Sequence, residues 1–268
     1  MRNPRVDVGK IQSQGYFPFF IASQNGHLDV VSLLLADPRI EPDKPAYDGA
    51  TPVFIACQKG HQDVVSLLLA DSRIDPDRPK NTGAAPFVIA CQEGHREVVS
   101  LLLADPRIDA NKLGSDGATP LWIASQNGHL VVVQHLLASG REIETRTRST
   151  FNNRTAAEQG RREVQRGPKG ADENHNRMKT NGPRCADLID DYERDPVAVR
   201  HRLRRQPGLR EHFIGHLFAL VVFHSNSFVV INDDWPTLTL GDSSRSPPGF
   251  PLTSRWCCAT GSSAHQKT

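Results

Sequence analysis

Apolar and polar positions follow a pattern along the first half of the chain that repeats every 34 residues. Each unit has an Ile-Ala pair, then a Gly-His step, then an aliphatic block, and the pairs begin at Ile21, Ile55, Ile89 and Ile123. The aliphatic block would be apolar on nearly all sides of a helix, so neighbours must cover both of its flanks. The pattern therefore predicts stacked pairs of short helices, each pair too thin to fold alone.

Signals for the start and the end of these helices recur with the same period. Thr51 is a favourable N-cap, and Pro52 suits the first helical position because its missing N–H would have no partner there. Gly60 separates the first helix of that unit from the second. Proline and glycine then punctuate polar joints at 37–50, 71–84 and 105–118. We expect an all-α array in which these joints project as hairpin loops.

Two of the units closely resemble the ankyrin repeat. Thr51-Pro52-Val53-Phe54-Ile55-Ala56 and Thr119-Pro120-Leu121-Trp122-Ile123-Ala124, each followed by Gly-His, are similar to the family pattern T-P-L-H-x-A…G-H. The resemblance covers residues 4 to about 140 and implies an ankyrin-type α-solenoid, a protein-binding scaffold without catalytic residues or cofactors. Apolar residues replace the family's first histidine, and we expect their packing to substitute for its hydrogen bonds; they are Phe20, Phe54, Val88 and Trp122.

The two ends of the array depart from this pattern. Residues 3–7 match the end of a repeat, so we expect no polar cap before the first full repeat. The apolar face expected to be uncovered there, and to self-associate, comprises Phe17, Phe19, Leu28, Val31 and Leu34. Residues 141–195 predict a degenerate closing repeat, in which Thr155 begins the first helix. A flexible insert is expected at 167–182, with the second helix resuming near Pro183.

Beyond the array (1–140) and the closing repeat (141–195), the repeat pattern stops. We expect a helical module at 196–231 and a disordered tail at 232–268, because the tail is rich in Ser, Pro, Gly and Thr. The apolar run 213–223 is shorter than the roughly 20 residues that cross a bilayer, which favours a packed helix over a membrane span. The abrupt change after Ile231 leaves a truncated or misjoined reading frame as an alternative.

Charge is unevenly distributed. Residues 1–140 hold 12 Lys and Arg against 15 Asp and Glu, whereas 141–212 hold 17 against 12. An Arg-rich segment, 200–210, leaves nucleic-acid or nuclear-import-receptor binding as an alternative function, although acidic neighbours favour intramolecular pairing. A further alternative is an enzyme with unrecognised chemistry in 183–231, but no phosphate-binding loop or nucleophile motif supports it.

Cysteine and histidine spacing indicates neither disulfides nor metal. The five cysteines lack paired spacing, and no signal peptide opens the chain, so an intracellular location, cytoplasmic or nuclear, is expected. One histidine recurs per unit, at His27, His61, His95 and His129. Packed helices lie about 8–10 Å apart, whereas zinc–nitrogen bonds are about 2 Å long. These histidines therefore cannot share one ion.

The resemblance also implies where a partner would bind. Ankyrin arrays contact partners through a concave face formed by the hairpin tips and the exposed side of each first helix. Matched by register, the candidate partner-binding residues are Tyr47, Asp48, Lys59, Asn81, Thr82, Glu93, Ser115, Asp116 and Asn127. The members that vary between repeats, among them Tyr47, are the strongest candidates, because a tyrosine offers a large amphipathic contact at low entropic cost.

Overall fold

The computed structural model describes residues 15–114, 116–162 and 173–209, and this part of the chain contains helices but no strands. The inner helices are α1 (Pro18–Gln24), α3 (Pro52–Lys59), α5 (Pro86–Glu93), α7 (Pro120–Gln126) and α9 (Ala156–Arg162). The outer helices are α2 (Leu28–Leu35), α4 (Gln62–Leu69), α6 (Arg96–Ala104), α8 (Leu130–Ala138) and α10 (Glu173–Arg194). A further helix, α11 (Pro196–Arg204), follows α10.

The inner helices begin where the sequence predicts. The Thr51 hydroxyl accepts a hydrogen bond from the Phe54 amide at 3.3 Å, and the Thr119 hydroxyl accepts one from Trp122 at 3.1 Å. Ala85, at the equivalent position, provides no side-chain cap. Gly60 ends α3 in the left-handed region at φ 75°, which a side chain would strain.

Each inner helix stacks on the next inner helix, and each outer helix on the next outer helix. The residues that replace the family's first histidine are all buried, which confirms the expected apolar packing; they are Phe20, Phe54, Val88 and Trp122. Trp122 also restores a hydrogen bond, because its indole N–H donates to the Arg154 carbonyl at 3.0 Å. The fold is thus an all-α solenoid held by one continuous apolar core.

The joints project as hairpin turns, as predicted. Backbone hydrogen bonds close them, from Ala46 N to Ala50 O at 2.9 Å and from Lys80 N to Ala84 O at 3.0 Å. The third turn, 114–118, is closed in the same way, and the fourth spans 149–154. We call these four turns the tips.

The closing repeat is present, but its second helix differs from the prediction. The expected start near Pro183 is wrong, because α10 begins at Glu173 and contains Pro183 in its interior. Its early turns lie against the loop between α7 and α8, where Arg177 Nε donates to the Asn127 carbonyl at 3.2 Å and Asn181 Nδ2 to the Gly128 carbonyl at 3.1 Å. Such contacts offset the hydrogen bond that an interior proline removes. The rest of the expected insert, 167–172, lies outside the described residues.

The apolar face expected at the first repeat is only partly right. Phe17, Phe19 and Val31 are buried, because they pack into the core that α1 and α2 share with α3 and α4. Leu28 is exposed and Leu34 is half-buried. The exposed apolar residues of α2 are Leu28, Val30 and Leu33, which we call the α2 face.

Several sequence predictions fall on residues that the structure does not describe. These are the partial repeat at 3–7, most of the helical module (210–231) and the tail (232–268). Among the described residues, no helix is both long and apolar enough to cross a membrane.

Candidate partner-binding face

The tips carry the first row of candidate residues. Tyr47 and Asp48 are exposed on the first tip, Asn81 and Thr82 on the second, and Asp116 on the third. Tyr47 has 70% of its surface exposed, which leaves most of this aromatic side chain available for contact. Ser115 lies outside the described residues.

A second row lies at the other end of the inner helices. Lys59 and Glu93 are exposed as the last residues of α3 and α5, and Asn127 is half-buried just after α7. An eight-residue helix is about 12 Å long, which sets the scale of the separation between the rows. The central isoleucines of the inner helices, Ile55 and Ile89, retain 7% and 6% exposure. The two polar rows therefore lie at opposite ends of helices whose central isoleucines are almost fully buried.

Two of the candidates also join neighbouring repeats. The Asn81 amide N–H donates to the Asp48 carbonyl at 2.9 Å, and its side chain donates to the Tyr47 carbonyl at 3.0 Å. The Asn127 side chain donates to the Gln92 carbonyl at 3.0 Å. Replacing either asparagine would change the structure as well as the surface, so both are weaker candidates than Tyr47, Lys59 or Glu93.

Two exposed apolar residues of the joints are absent from the candidates that the repeat register predicts. Phe151 is 80% exposed on the fourth tip, and Leu113 is 50% exposed next to the third. The fourth tip spans one residue more than the others, and the Thr150 amide N–H donates to the Asp116 carbonyl at 3.1 Å, which holds the two tips side by side. A lone aromatic residue within the polar stretch 149–154 was the available signal. We call the set formed by Tyr47, Asp48, Lys59, Thr82, Glu93, Asp116 and Phe151 the candidate face.

The repeated histidines serve the stacking. The ring Nε2 atoms of His61, His95 and His129 lie 2.9, 3.0 and 2.8 Å from the backbone carbonyl at the end of the preceding inner helix. A carbonyl only accepts, so each neutral ring carries its proton on Nε2. Burial, followed by the nearby Arg177 charge, lowers the pKa of His129 to about 4. The described residues contain no group of three or more His, Cys, Asp or Glu side chains placed to hold a metal ion.

The glycine before each outer helix is matched to these rings. A Cβ atom on Gly26 would lie 2.6 Å from Nδ1 of His61, and one on Gly60 would lie 2.6 Å from Nδ1 of His95. Both glycines also have positive φ. The Gly-His step of one repeat is therefore a contact between two repeats, not a local turn signal alone.

The described cysteines are buried, and their thiols are poorly reactive. Cys57 and Cys91 have no exposed surface, and burial raises the pKa of both thiols far above its usual value. Burial also raises the pKa of Cys185 to about 12. Since the thiolate is the nucleophile, these three cysteines are not activated for catalysis.

The Arg-rich segment makes contacts within the molecule. Arg200 donates to the Tyr192 hydroxyl at 3.1 Å, Arg202 to the Asp191 carboxylate at 3.2 Å, and Arg204 Nε to the Ala138 carbonyl at 2.8 Å. The acidic and carbonyl partners belong to α10 and α8. These contacts favour the intramolecular pairing that the sequence indicated.

Stacked helix pairs joined by projecting hairpin tips define a helical-repeat protein. The family model described as ankyrin repeats (three copies) matches residues 3–80 and 70–148, and the chain belongs to this family. No curated protein matches the chain. Ankyrin repeats generally mediate protein–protein interaction.

Proposed function

We propose that this protein is a non-catalytic scaffold or adaptor that binds a protein partner through the candidate face. The observation that carries the proposal is the exposure of Tyr47 and Phe151, at 70% and 80%, on the first and fourth tips. Exposed aromatic side chains are enriched among residues that dominate binding energy. The Tyr47 ring lies over Gly15, where an added Cβ atom would lie 2.7 Å from two ring carbons, but most of its surface stays free for a partner.

The polar members of the candidate face support the same function. Lys59 and Glu93 occupy the same position in consecutive repeats and carry opposite charges. They would present a fixed charge pattern to a partner at the ends of α3 and α5. Opposite charges arranged in this way contribute more to the choice of partner and to the rate of association than to affinity.

A four-residue variant of the full chain tests the proposal. We expect Tyr47→Ala, Lys59→Ala, Glu93→Ala and Phe151→Ala together to weaken partner capture from the source cells strongly. Thermal unfolding should change little, because exposed substitutions usually shift stability by no more than about 0.5 kcal/mol. Asn81 is left intact because it joins two tips. Val197→Ala, which removes another exposed apolar side chain, is the matched control.

The outcome of that experiment separates the proposal from its alternatives. Partners retained by the control and lost by the four-residue variant support the candidate face. Capture that is unchanged in the variant contradicts it. If capture instead falls steeply with salt and is lost on removal of 196–231, the Arg-rich segment or unrecognised chemistry in 183–231 carries the function.

The contacts of the arginines in the Arg-rich segment, 200–210, argue against nucleic acid as its ligand. Arg200, Arg202 and Arg204 each already donate to a group of the same molecule. Nucleic-acid binding requires Lys and Arg side chains that neutralise phosphates. We therefore place protein binding first.

We also propose that the α2 face supports self-association with a second copy of the chain. Leu28, Val30 and Leu33 are 38%, 45% and 75% exposed and belong to one helix. A second copy that presents the same residues would cover them with apolar surface in a symmetric contact. Sedimentation velocity of the Leu33→Lys variant tests this proposal.

A further inference from the structure

Arginines of three successive joints each bond to the end of the outer helix that lies one repeat earlier. Arg73 donates to the Leu35 carbonyl at 3.0 Å, Arg107 to the Leu69 carbonyl at 2.7 Å and Arg141 to the Leu103 carbonyl at 3.2 Å. Each acceptor lies in the last turn of the outer helix one repeat earlier, where backbone carbonyls lack a partner within the helix. A cation at this end is also favoured by the helix dipole.

The joint that would follow α10 is replaced. Each earlier joint has an arginine at its third position, as in Asp37-Pro38-Arg39, Asp71-Ser72-Arg73, Asp105-Pro106-Arg107 and Ser139-Gly140-Arg141, whereas α10 is followed by Asp195-Pro196-Val197. The Asp195 carboxylate caps α11 by accepting from the Ala198 amide at 2.9 Å. The chain therefore continues as a helix at the point where the repeat would place its arginine.

An arginine reaches the end of α8 nevertheless. Arg204, at the end of α11, donates from Nε to the Ala138 carbonyl at 2.8 Å. The fit is close at Gly140, where a Cβ atom would lie 2.8 Å from an Arg204 nitrogen. Val199 and Leu203 of α11 are buried, and α11 packs against both α8 and α10.

We propose that α11 is a strap that closes the row of outer helices, with Arg204 in the role that the joint arginines have elsewhere. The strap connects the ends of α8 and α10, which the missing joint would otherwise leave unfastened. α11 and the last turn of α8 should therefore open and close together.

Hydrogen exchange measured by mass spectrometry on the full chain tests the strap. We expect Arg204→Ala to accelerate exchange of amides in α11 and in the last turn of α8 by about tenfold or more, while α3 to α6 keep their protection. Arg202→Ala is the matched control, since its exposed guanidinium bonds to the Asp191 carboxylate of α10 and, among the described residues, has no recorded bond to α8. Arg204→Lys should fall between the two, because lysine keeps the charge but not the planar fork.

Two results would overturn the strap. One is exchange in Arg204→Ala that equals exchange in Arg202→Ala. The other is measured on the wild-type chain in low urea, which does not depend on any variant folding. If α11 opens there while the last turn of α8 keeps its full protection, the two segments are not fastened together.

Discussion

The outer helices α2, α4 and α6 contain the same six residues, Val-Val-Ser-Leu-Leu-Leu, which begin at Val30, Val64 and Val98. Val30 is nevertheless 45% exposed, whereas Val64 and Val98 are 1% exposed. The hydrophobic pattern therefore shows which residues can be buried. Whether they are buried depends on the presence of a neighbouring repeat.

The other end of the outer row is built differently. The long helix α10 is much richer in polar residues than α2. Some of its charged side chains form ion pairs. Arg161 pairs with Asp190, and Arg194 pairs with Asp191 at 3.0 Å. One end of the described row therefore presents aliphatic surface and the other presents charge.

The largest expected effect is a difference in stability between two variants, in which leucines at the same position of the repeated hexapeptide are replaced. Leu68 in α4 is fully buried, whereas Leu34 in α2 is half-buried. We expect Leu68→Ala to lower the free energy of unfolding by about 2–5 kcal/mol, the range for a buried leucine, and Leu34→Ala to lower it by less than half as much. Urea unfolding of both variants measures the difference. Equal losses would show that α2 is covered as fully as α4.

The next largest effect concerns His129, which makes the same contact with a backbone carbonyl as His61 does. The fold holds the pKa of His129 near 4, below the value of about 6.5 in an unfolded chain. The neutral form is therefore favoured in the fold, and its contribution is complete above pH 6.5 and lost as the pH falls from 6.5 towards 4. Between pH 7 and pH 5 the unfolding free energy should drop by roughly 2 kcal/mol from this group.

Comparison of the wild type with His129→Gln isolates that contribution. The variant should be less stable at pH 7 and should lose less stability on acidification than the wild type. His61→Gln removes the same type of inter-repeat hydrogen bond and controls for it. Parallel pH profiles for the wild type and His129→Gln would refute the prediction.

A smaller effect concerns the caps of the inner helices. Thr119→Ala removes the hydroxyl that accepts from Trp122 and should cost about 1 kcal/mol. The reciprocal change, Ala85→Thr, introduces the cap that α5 lacks. It should raise the free energy of unfolding by a few tenths of a kcal/mol. Thermal unfolding of both variants provides the measurement. A loss of stability in Ala85→Thr would mean that the buried site has no room for the larger side chain.

The smallest effect on stability accompanies the largest expected effect on self-association. Leu33→Lys removes the most exposed side chain of the α2 face and should change the unfolding free energy by no more than about 0.5 kcal/mol. Sedimentation velocity should nevertheless show less of the associated species. Ser32→Lys adds the same charge beside it without removing apolar surface, and should leave association closer to the wild type. Association that is identical in all three chains contradicts the self-association proposal.

The period of 34 residues made most of the array predictable, because repeat length, capping residues and breaker residues all agree within each unit. The helix α3 begins at Pro52 as predicted, α1, α5 and α7 begin at the equivalent prolines, and the joints form the predicted tips. Contacts with residues far away in sequence were not predictable. The start of α10 depends on Arg177 and Asn181 meeting the α7–α8 loop, and local propensity around Pro183 points the other way.

The candidate face was predictable as a set of positions, but not in its detail. Register alone selects Tyr47, Lys59 and Glu93 correctly as exposed residues. It does not reveal that Asn81 joins two tips, because that requires the position of the neighbouring carbonyl groups. Phe151 was missed because the fourth tip spans one residue more than the others, which shifts the register.

The contacts between repeats have a consequence for how this chain can change in length. His61 and His95 both bond to the carbonyl of a glutamine in the preceding repeat, and Arg73 and Arg107 both bond to that of a leucine. Removing residues 52–85 would therefore bring His95 to Gln24 and Arg107 to Leu35, with every donor facing the same chemical group as before. A deletion of 33 or 35 residues would leave those donors misaligned. Loss of a whole unit thus preserves these contacts, whereas extra residues such as the one in the fourth tip are accommodated in the joints.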